Sequence, residues 1–210
     1  NNIKKRTDMG RSQGDTFVSL TRDLVQDMSG NNIVAISASN SLQASSVTAD
    51  TTSPVLLSYS LDLSVGTMTL SFSEVCSIAS ISPGDLTLQS AADANGATLY
   101  VLTGGAASGV SDNIADTAIV ITFTATDLNE LKKRTTLATS TADTYLSITT
   151  SAASDMSTNA VVAIASNNGK QAASVTEDSV DPQLQSFSID LTQKKLVLTF
   201  DETMLASSVD

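Results

Sequence analysis

Along LLSYSLDL, Leu57, Tyr59, Leu61 and Leu63 alternate with Ser58, Ser60 and Asp62. A period of two marks a strand with one buried face. A turn at SVG follows, where Gly66 is free to take a positive φ, and TMTLSFS then places Met68, Leu70 and Phe72 inward. The same pattern predicts strands in DLTLQS (85–90), TLYVLT (98–103), AIVITFT (118–124) and TYLSITT (144–150), with a weaker last strand in QAASVT (171–176). ADANG and TGGAASGVSDN punctuate them, and TGGAASG reads as a flexible loop. One segment departs from this period. TDLNELKKRTTL (126–137) reads as a helix opened by an Asp127/Glu130 capping box. Leu128, Leu131 and Thr135 share one face, and Glu130 and Arg134 stand four apart in the favourable order. SAASDMSTN (151–159) reads as a turn or a single helical turn.

The pattern occurs more than once. Residues 1–82 lie on residues 129–210 without a gap, and about 34 of those 82 positions are identical. NNIKKRT answers NELKKRT, Asp27-Met28-Ser29 answers Asp155-Met156-Ser157, and Val34-Ala35-Ile36 answers Val162-Ala163-Ile164. Pro54, Asp62, Leu70, Phe72 and Glu74 answer Pro182, Asp190, Leu198, Phe200 and Glu202. A period of about 128 residues exceeds a solenoid turn and matches a whole domain. The expected organisation is the back part of one unit at 1–52, a complete unit at 53–180, and the front part of a third at 181–210. Six to eight short strands and one crossover helix per unit predict an all-β fold of immunoglobulin-like β-sandwich repeats.

DTTSPVLLSYSLDLSVGTMTLSFSE, followed by TDLNELKKRTTLATSTADTYLSITTSAASDMSTNAVVAI, resembles the tandem Ig-like repeats of large secreted surface proteins of protists and microalgae. It is more weakly similar to bacterial Ig-like repeats of S-layer and adhesin proteins. The resemblance covers essentially the whole chain. It implies an extracellular structural role, in a flagellar hair (mastigoneme) or another surface filament.

Composition narrows the chemistry. The net charge is −11, which disfavours nucleic acid and anionic membranes as partners. No apolar run approaches the length of a transmembrane helix, so no membrane insertion of this segment is expected. There is no His, and Cys76 is the single Cys, which removes Ser-His-Asp and Cys-His machinery and His/Cys zinc sites. Cys76 answers Met204, as a core position would. No enzymatic activity, catalytic residue or cofactor-binding residue is predicted.

Three recurring charged features remain. Lys4, Lys5, Arg6 and Lys132, Lys133, Arg134 form either a dock for an acidic face of a neighbour or a solvated face with local ion pairs. In the linkers VTADTTSP and VTEDSVDP, Asp50 and Asp178 precede the unit boundary and Asp181 follows one, and Asp62 and Asp190 end strands. Carboxylates so placed suit Ca²⁺ at repeat junctions, against the routine use of Asp in turns. Glu74 and Glu202 read as strand-end residues that satisfy backbone donors or guard an edge. The expected function is a structural module of an extracellular filament or coat that self-associates with copies of the same protein. An adhesive or ligand-binding surface module is the alternative. Sugar recognition favours exposed aromatic platforms, and the chain has no Trp and three Tyr. A small-molecule ligand is not expected. No N-glycosylation acceptor is present, and the Ser/Thr-rich composition leaves O-glycosylation as the route to a glycoprotein.

Overall fold

The computed structural model describes residues 3–208. Asn1 and Asn2 of the opening motif, and Val209 and Asp210, lie outside the described residues. The chain is mostly β-sheet. In order come β1 (Phe17–Val18), β2 (Leu42–Gln43), β3 (Leu56–Asp62), β4 (Thr67–Ser77), β5 (Leu86–Gln89), β6 (Leu99–Val101), β7 (Ala106–Gly109) and β8 (Ala115–Thr122). Helix α1 (Ala125–Lys132) leads to β9 (Tyr145–Ile148), β10 (Lys170–Gln171) and β11 (Ser174–Thr176), and β12 (Leu184–Asp190) and β13 (Lys195–Phe200) close the chain.

The middle of the chain forms two sheets, ordered β11-β3-β4-β8-β7 and β10-β9-β5-β6. All pairs are antiparallel except β11 on β3, which is parallel. The inward residues of both sheets belong to one core. Tyr59, Leu61, Met68, Leu70, Ile119 and Ile121 come from the larger sheet, and Leu86, Leu88, Leu146 and Ile148 from the smaller. The alternation of β3 and β4 therefore has a physical cause: each inward side chain faces the opposite sheet, as in a sandwich. The buried hydroxyl of Tyr59 donates to the Thr144 carbonyl at 3.0 Å and ties the layers. Cys76 is fully buried. Burial pushes its thiol up to about 12, so a thiol reagent should label the chain only once it is unfolded.

Four local readings need correction. Leu57 faces solvent and Leu56 faces the core, because a bulge between Leu56 and Ser58 shifts the register. The last predicted strand divides into β10 and β11, which join different sheets. TGGAASG is not a flexible loop. It contains β7, paired to β8, and a Cβ on Gly105 would sit 2.7 Å from the Thr122 carbonyl oxygen. The helix begins earlier than its spacing predicts: Thr124 caps it by accepting from the Asp127 N–H at 3.0 Å. It ends at Lys132, which leaves Thr135 outside and exposed. The 151–159 segment is turns with a Ser154–Ala160 bridge.

The ends of the chain carry the same local geometry as the middle. β12 and β13 pair Leu184 with Phe200, Phe187 with Leu198 and Asp190 with Lys195, with a register shift after Leu184. These are the β3–β4 pairs Leu56–Phe72, Tyr59–Leu70 and Asp62–Thr67 moved by one repeat, and the shift falls at the same place. Likewise Phe17–Gln43 and Val18–Leu42 correspond to Tyr145–Gln171 and Leu146–Lys170. The backbone agrees even where residues differ. Ala138, Thr158 and Lys194 have φ of 64°, 68° and 54°, and their counterparts Gly10, Gly30 and Gly66 have 79°, 83° and 69°. A Cβ in that region is strained. Thr158→Gly should therefore raise the stability of the middle unit by about 0.5–1 kcal/mol, read as a higher urea midpoint at unchanged slope.

Candidate functional site at the two linkers

The three recurring charged features, separate in the sequence, converge in space. At the first linker, the Lys4 ammonium lies 2.7 Å from Asp50 Oδ2 and 2.5 Å from Glu74 Oε2. At the second, the Lys132 ammonium lies 2.8 Å from Asp178 Oδ2 and 2.5 Å from Glu202 Oε2. Each lysine comes from the segment before a linker and each aspartate from the linker, while Glu74 lies in β4 and Glu202 two residues past β13. All three positions recur exactly one repeat later in the chain.

The fold explains the placement. Lys132 is the last residue of α1, where a cation also suits the negative end of the helix dipole. Glu74 keeps the inward parity of Met68, Leu70 and Phe72 in β4 and is buried, beside the register shift between Ser71 and Cys76. Its side chain is 7% exposed, and those of Lys132 and Glu202 are 10% and 12%. Glu74 is therefore neither a backbone-capping strand end nor an edge guard. It anchors the preceding segment. Asp155, beside the same linker, accepts from the Ser157 and Asn159 N–H groups at 2.8 and 2.7 Å. The Asn159 side-chain amide then donates to the Asp50 carbonyl at 3.0 Å. This turn gives the recurring Asp-Met-Ser block its physical meaning, since Asp27 makes the same turn with Ser29 and Asn31.

Smaller contacts reinforce the linkers. Lys5 reaches Asp112 at 3.3 Å, and Arg11 donates to the Met156 carbonyl. The Val162 N–H donates to the Pro54 carbonyl at 2.9 Å, and the Ser64 hydroxyl to that of Glu177 at 2.8 Å. The other predicted site residues have local roles. Lys133 and Arg134 pair with Glu130 at 2.6 and 3.1 Å, while Asp62 and Asp190 accept from the N–H groups of the hairpin turns that follow them. Asp181 is exposed. Oxygens of Asp50, Glu74 and Asp155 come within 4.8 Å of one another, and two of these carboxylates already hold the Lys4 ammonium.

The charges are tuned to this pairing. Lys4 beside Asp50 and Glu74 is held above its ordinary range, and Asp50 beside Lys4 below its own. Burial opposes the charge of Lys132, and the Asp178 and Glu202 carboxylates outweigh it, so its ammonium is raised. Burial likewise opposes the charge of Asp178, and Lys132 with the Val180 N–H outweighs it, so its carboxyl is lowered. A depressed aspartate stabilises the fold above its unfolded value near ~4 and loses that contribution as pH falls through the folded value. A raised lysine does so below its unfolded value near ~10 and loses it as pH rises through the folded value. Thermal unfolding should therefore show a plateau from weakly acidic to weakly alkaline pH, with a fall on the acid side that Lys4→Ala makes shallower. Lys4→Met leaves the buried Glu74 without its counter-charge. It should cost about 1–2 kcal/mol, less than a fully enclosed pair because Lys4 is partly exposed; urea denaturation of the full chain measures it.

A groove is lined by Val18, Leu20, Leu24, Ile36 and Leu42. Four of their counterparts 128 positions later, Leu146, Ile148, Ala152 and Ile164, lie in or against the buried core. The sequence does hold a signal for the linker site: lysine, aspartate and glutamate each recur in register, with opposite charges. Comparison with protein families, with curated proteins and with solved structures found no match.

Proposed function

We propose that this chain is a stretch of a tandem array of immunoglobulin-like sandwich units, and that the array serves as a structural extender in an extracellular filament or surface coat. The observation that carries the reading is the lysine–aspartate–glutamate bridge, placed at both linkers by the same three positions of successive repeats. A bridge that joins the segment before each linker, the linker and the hairpin region after it restrains how consecutive units meet. Linkers as short as VTADTTSP and VTEDSVDP, each with a proline, restrict swing further. The matching strand registers support 53–180 as the complete unit, flanked by parts of like units at 1–52 and 181–210. Self-association with copies of the same protein follows from the filament role.

Negative-stain microscopy of the native material tests this. Long fibres with a regular axial repeat are expected. Compact isolated particles, or saturable binding of a glycan on an array, would replace it with the adhesive reading.

A further inference from the structure

Asn-Gly occurs twice in the chain, as Asn95-Gly96 and Asn168-Gly169, and the fold treats the two pairs differently. Asn95 and Gly96 are exposed, at the tip of a turn closed by the Ala97 N–H, which donates to the Ala94 carbonyl at 3.1 Å. The Gly96 φ of 76° is the left-handed value that glycine takes at the third position of such a turn. The closing bond bypasses the peptide between them, and the Gly96 N–H donates to no group among the described residues. Beyond its chain neighbours, nothing lies within 4 Å of where a Cβ on Gly96 would stand. At the second pair the Gly169 N–H donates to the Ala92 carbonyl at 2.7 Å, and a Cβ on Gly169 would lie 2.6 Å from the Gln89 amide nitrogen. Gln89 is itself fully buried and donates to the Ala91, Ala92 and Ser166 carbonyls at 2.8, 2.9 and 2.8 Å. One glycine nitrogen is open and the other is clamped.

We propose that Asn95 is a site of self-modification in the folded chain, converted through a cyclic imide to aspartate and isoaspartate, and that its clamp holds Asn168 unreacted. The Gly96 nitrogen attacks Asn95 Cγ. The N–Cγ bond forms, the Cγ–Nδ2 bond breaks, and the Gly96 N–H proton leaves with the side-chain amide as ammonia. Water then adds to either carbonyl of the ring and opens it. One opening gives aspartate; the other carries the main chain through Cγ and gives isoaspartate. In sum one water is taken up and one ammonia released, with no change of oxidation state. The reacting groups belong to adjacent residues, so no encounter between molecules is needed, and glycine puts no side chain in the way. At Asn168 the same attack must first break the bond from Gly169 to Ala92 and disturb the packing on Gln89. The change at Asn95 stays local. The Ala94 N–H is held by the Ser166 carbonyl and the Ser90 N–H by that of Thr98, both at 2.9 Å, so the loop remains tied on either side of the turn. The unit gains a negative charge beside Asp93, whose carboxylate accepts the Asn95 N–H at 2.9 Å.

Incubation of the folded 210-residue chain at weakly alkaline pH, with an unincubated sample as baseline, tests this. Trypsin places the two sites in separate fragments, 23–132 and 135–170. Fragmentation by mass spectrometry locates the amide lost, and an isoaspartyl methyltransferase with a labelled methyl donor counts the isoaspartate. Asn95 is expected to react at least about tenfold faster than Asn168 while the chain is folded, the difference that a hydrogen bond and its packing supply. In urea the two rates should converge. Asn95→Gln should remove the early product and leave the rate at Asn168 unchanged. Equal rates in the folded chain, an earlier reaction at Asn168 or at any other asparagine, or a ratio that survives in urea overturns the proposal.

Discussion

Asp127→Ala is expected to destabilise the middle unit by about 3–5 kcal/mol, the largest loss for any single polar side chain here. Asp127 is fully buried, and its carboxylate accepts five hydrogen bonds. Oδ1 takes the Tyr100 hydroxyl at 2.7 Å and the Thr103 N–H and hydroxyl at 2.9 Å each; Oδ2 takes the Thr124 hydroxyl at 2.9 Å and the Gly104 N–H at 3.2 Å. Burial alone would raise this carboxyl, but the donors outweigh it and hold it below the usual range. The charge is therefore kept at neutral pH, and its contribution fades as pH falls through the folded value. Alanine strands donors from β6, from the segment after it and from the cap of α1. It also loosens the helix whose last residue is Lys132. Asp127→Asn, which cannot accept at every position, should fall between alanine and wild type. The three tyrosines, Tyr59, Tyr100 and Tyr145, all lie within 53–180, so tyrosine fluorescence in urea follows this unit alone. A loss below about 1 kcal/mol would show that the network is dispensable.

The second large effect is a contrast between two equivalent leucines. Leu70→Ala should cost about 3 kcal/mol, because Leu70 is 2% exposed in a closed core and its removal leaves a cavity. Leu198→Ala, at the matching position of β13, should change the stability of the 210-residue chain by less than about 0.5 kcal/mol, because Leu198 is 43% exposed. The two residues occupy the same place in the same hairpin register. The difference isolates what an opposing sheet adds to a strand pair. Equal costs for both would mean that β12 and β13 are covered in solution, and would count against 181–210 as part of an unfinished unit.

Much of this architecture is legible from the sequence because it rests on local rules. Met68, Leu70 and Phe72 face inward as their alternation requires, and Glu130 pairs with Arg134 as their spacing requires. The misreadings have equally local causes. Leu57 departs from its pattern at a bulge, which two-residue periodicity cannot register. β7 escapes the pattern because Ala106 to Gly109 has no large side chain to signal a strand; its small residues suit close backbone approach, such as that of Gly109 to the Asp112 carbonyl. The start of α1 is displaced because Asp127, a cap by its spacing, is a buried acceptor. The linker site lies further out of reach. Lys4, Asp50 and Glu74 sit on three separate segments, and although their recurrence is visible, only folding makes them neighbours.

The parallel pairing of β11 with β3 has a consequence of its own. β3 opens the middle unit and β11 closes it, with Ser174, Val175 and Thr176 beside Ser60, Leu61 and Asp62. Tension applied through the two ends of the unit draws these strands past each other along their length. The inter-strand bonds, with those from Ala173 to the Tyr59 carbonyl and from Leu63 to that of Thr176, are then loaded together in shear and cannot be unzipped one by one. A unit pulled in this way should give way in one step, not by peeling strand from strand.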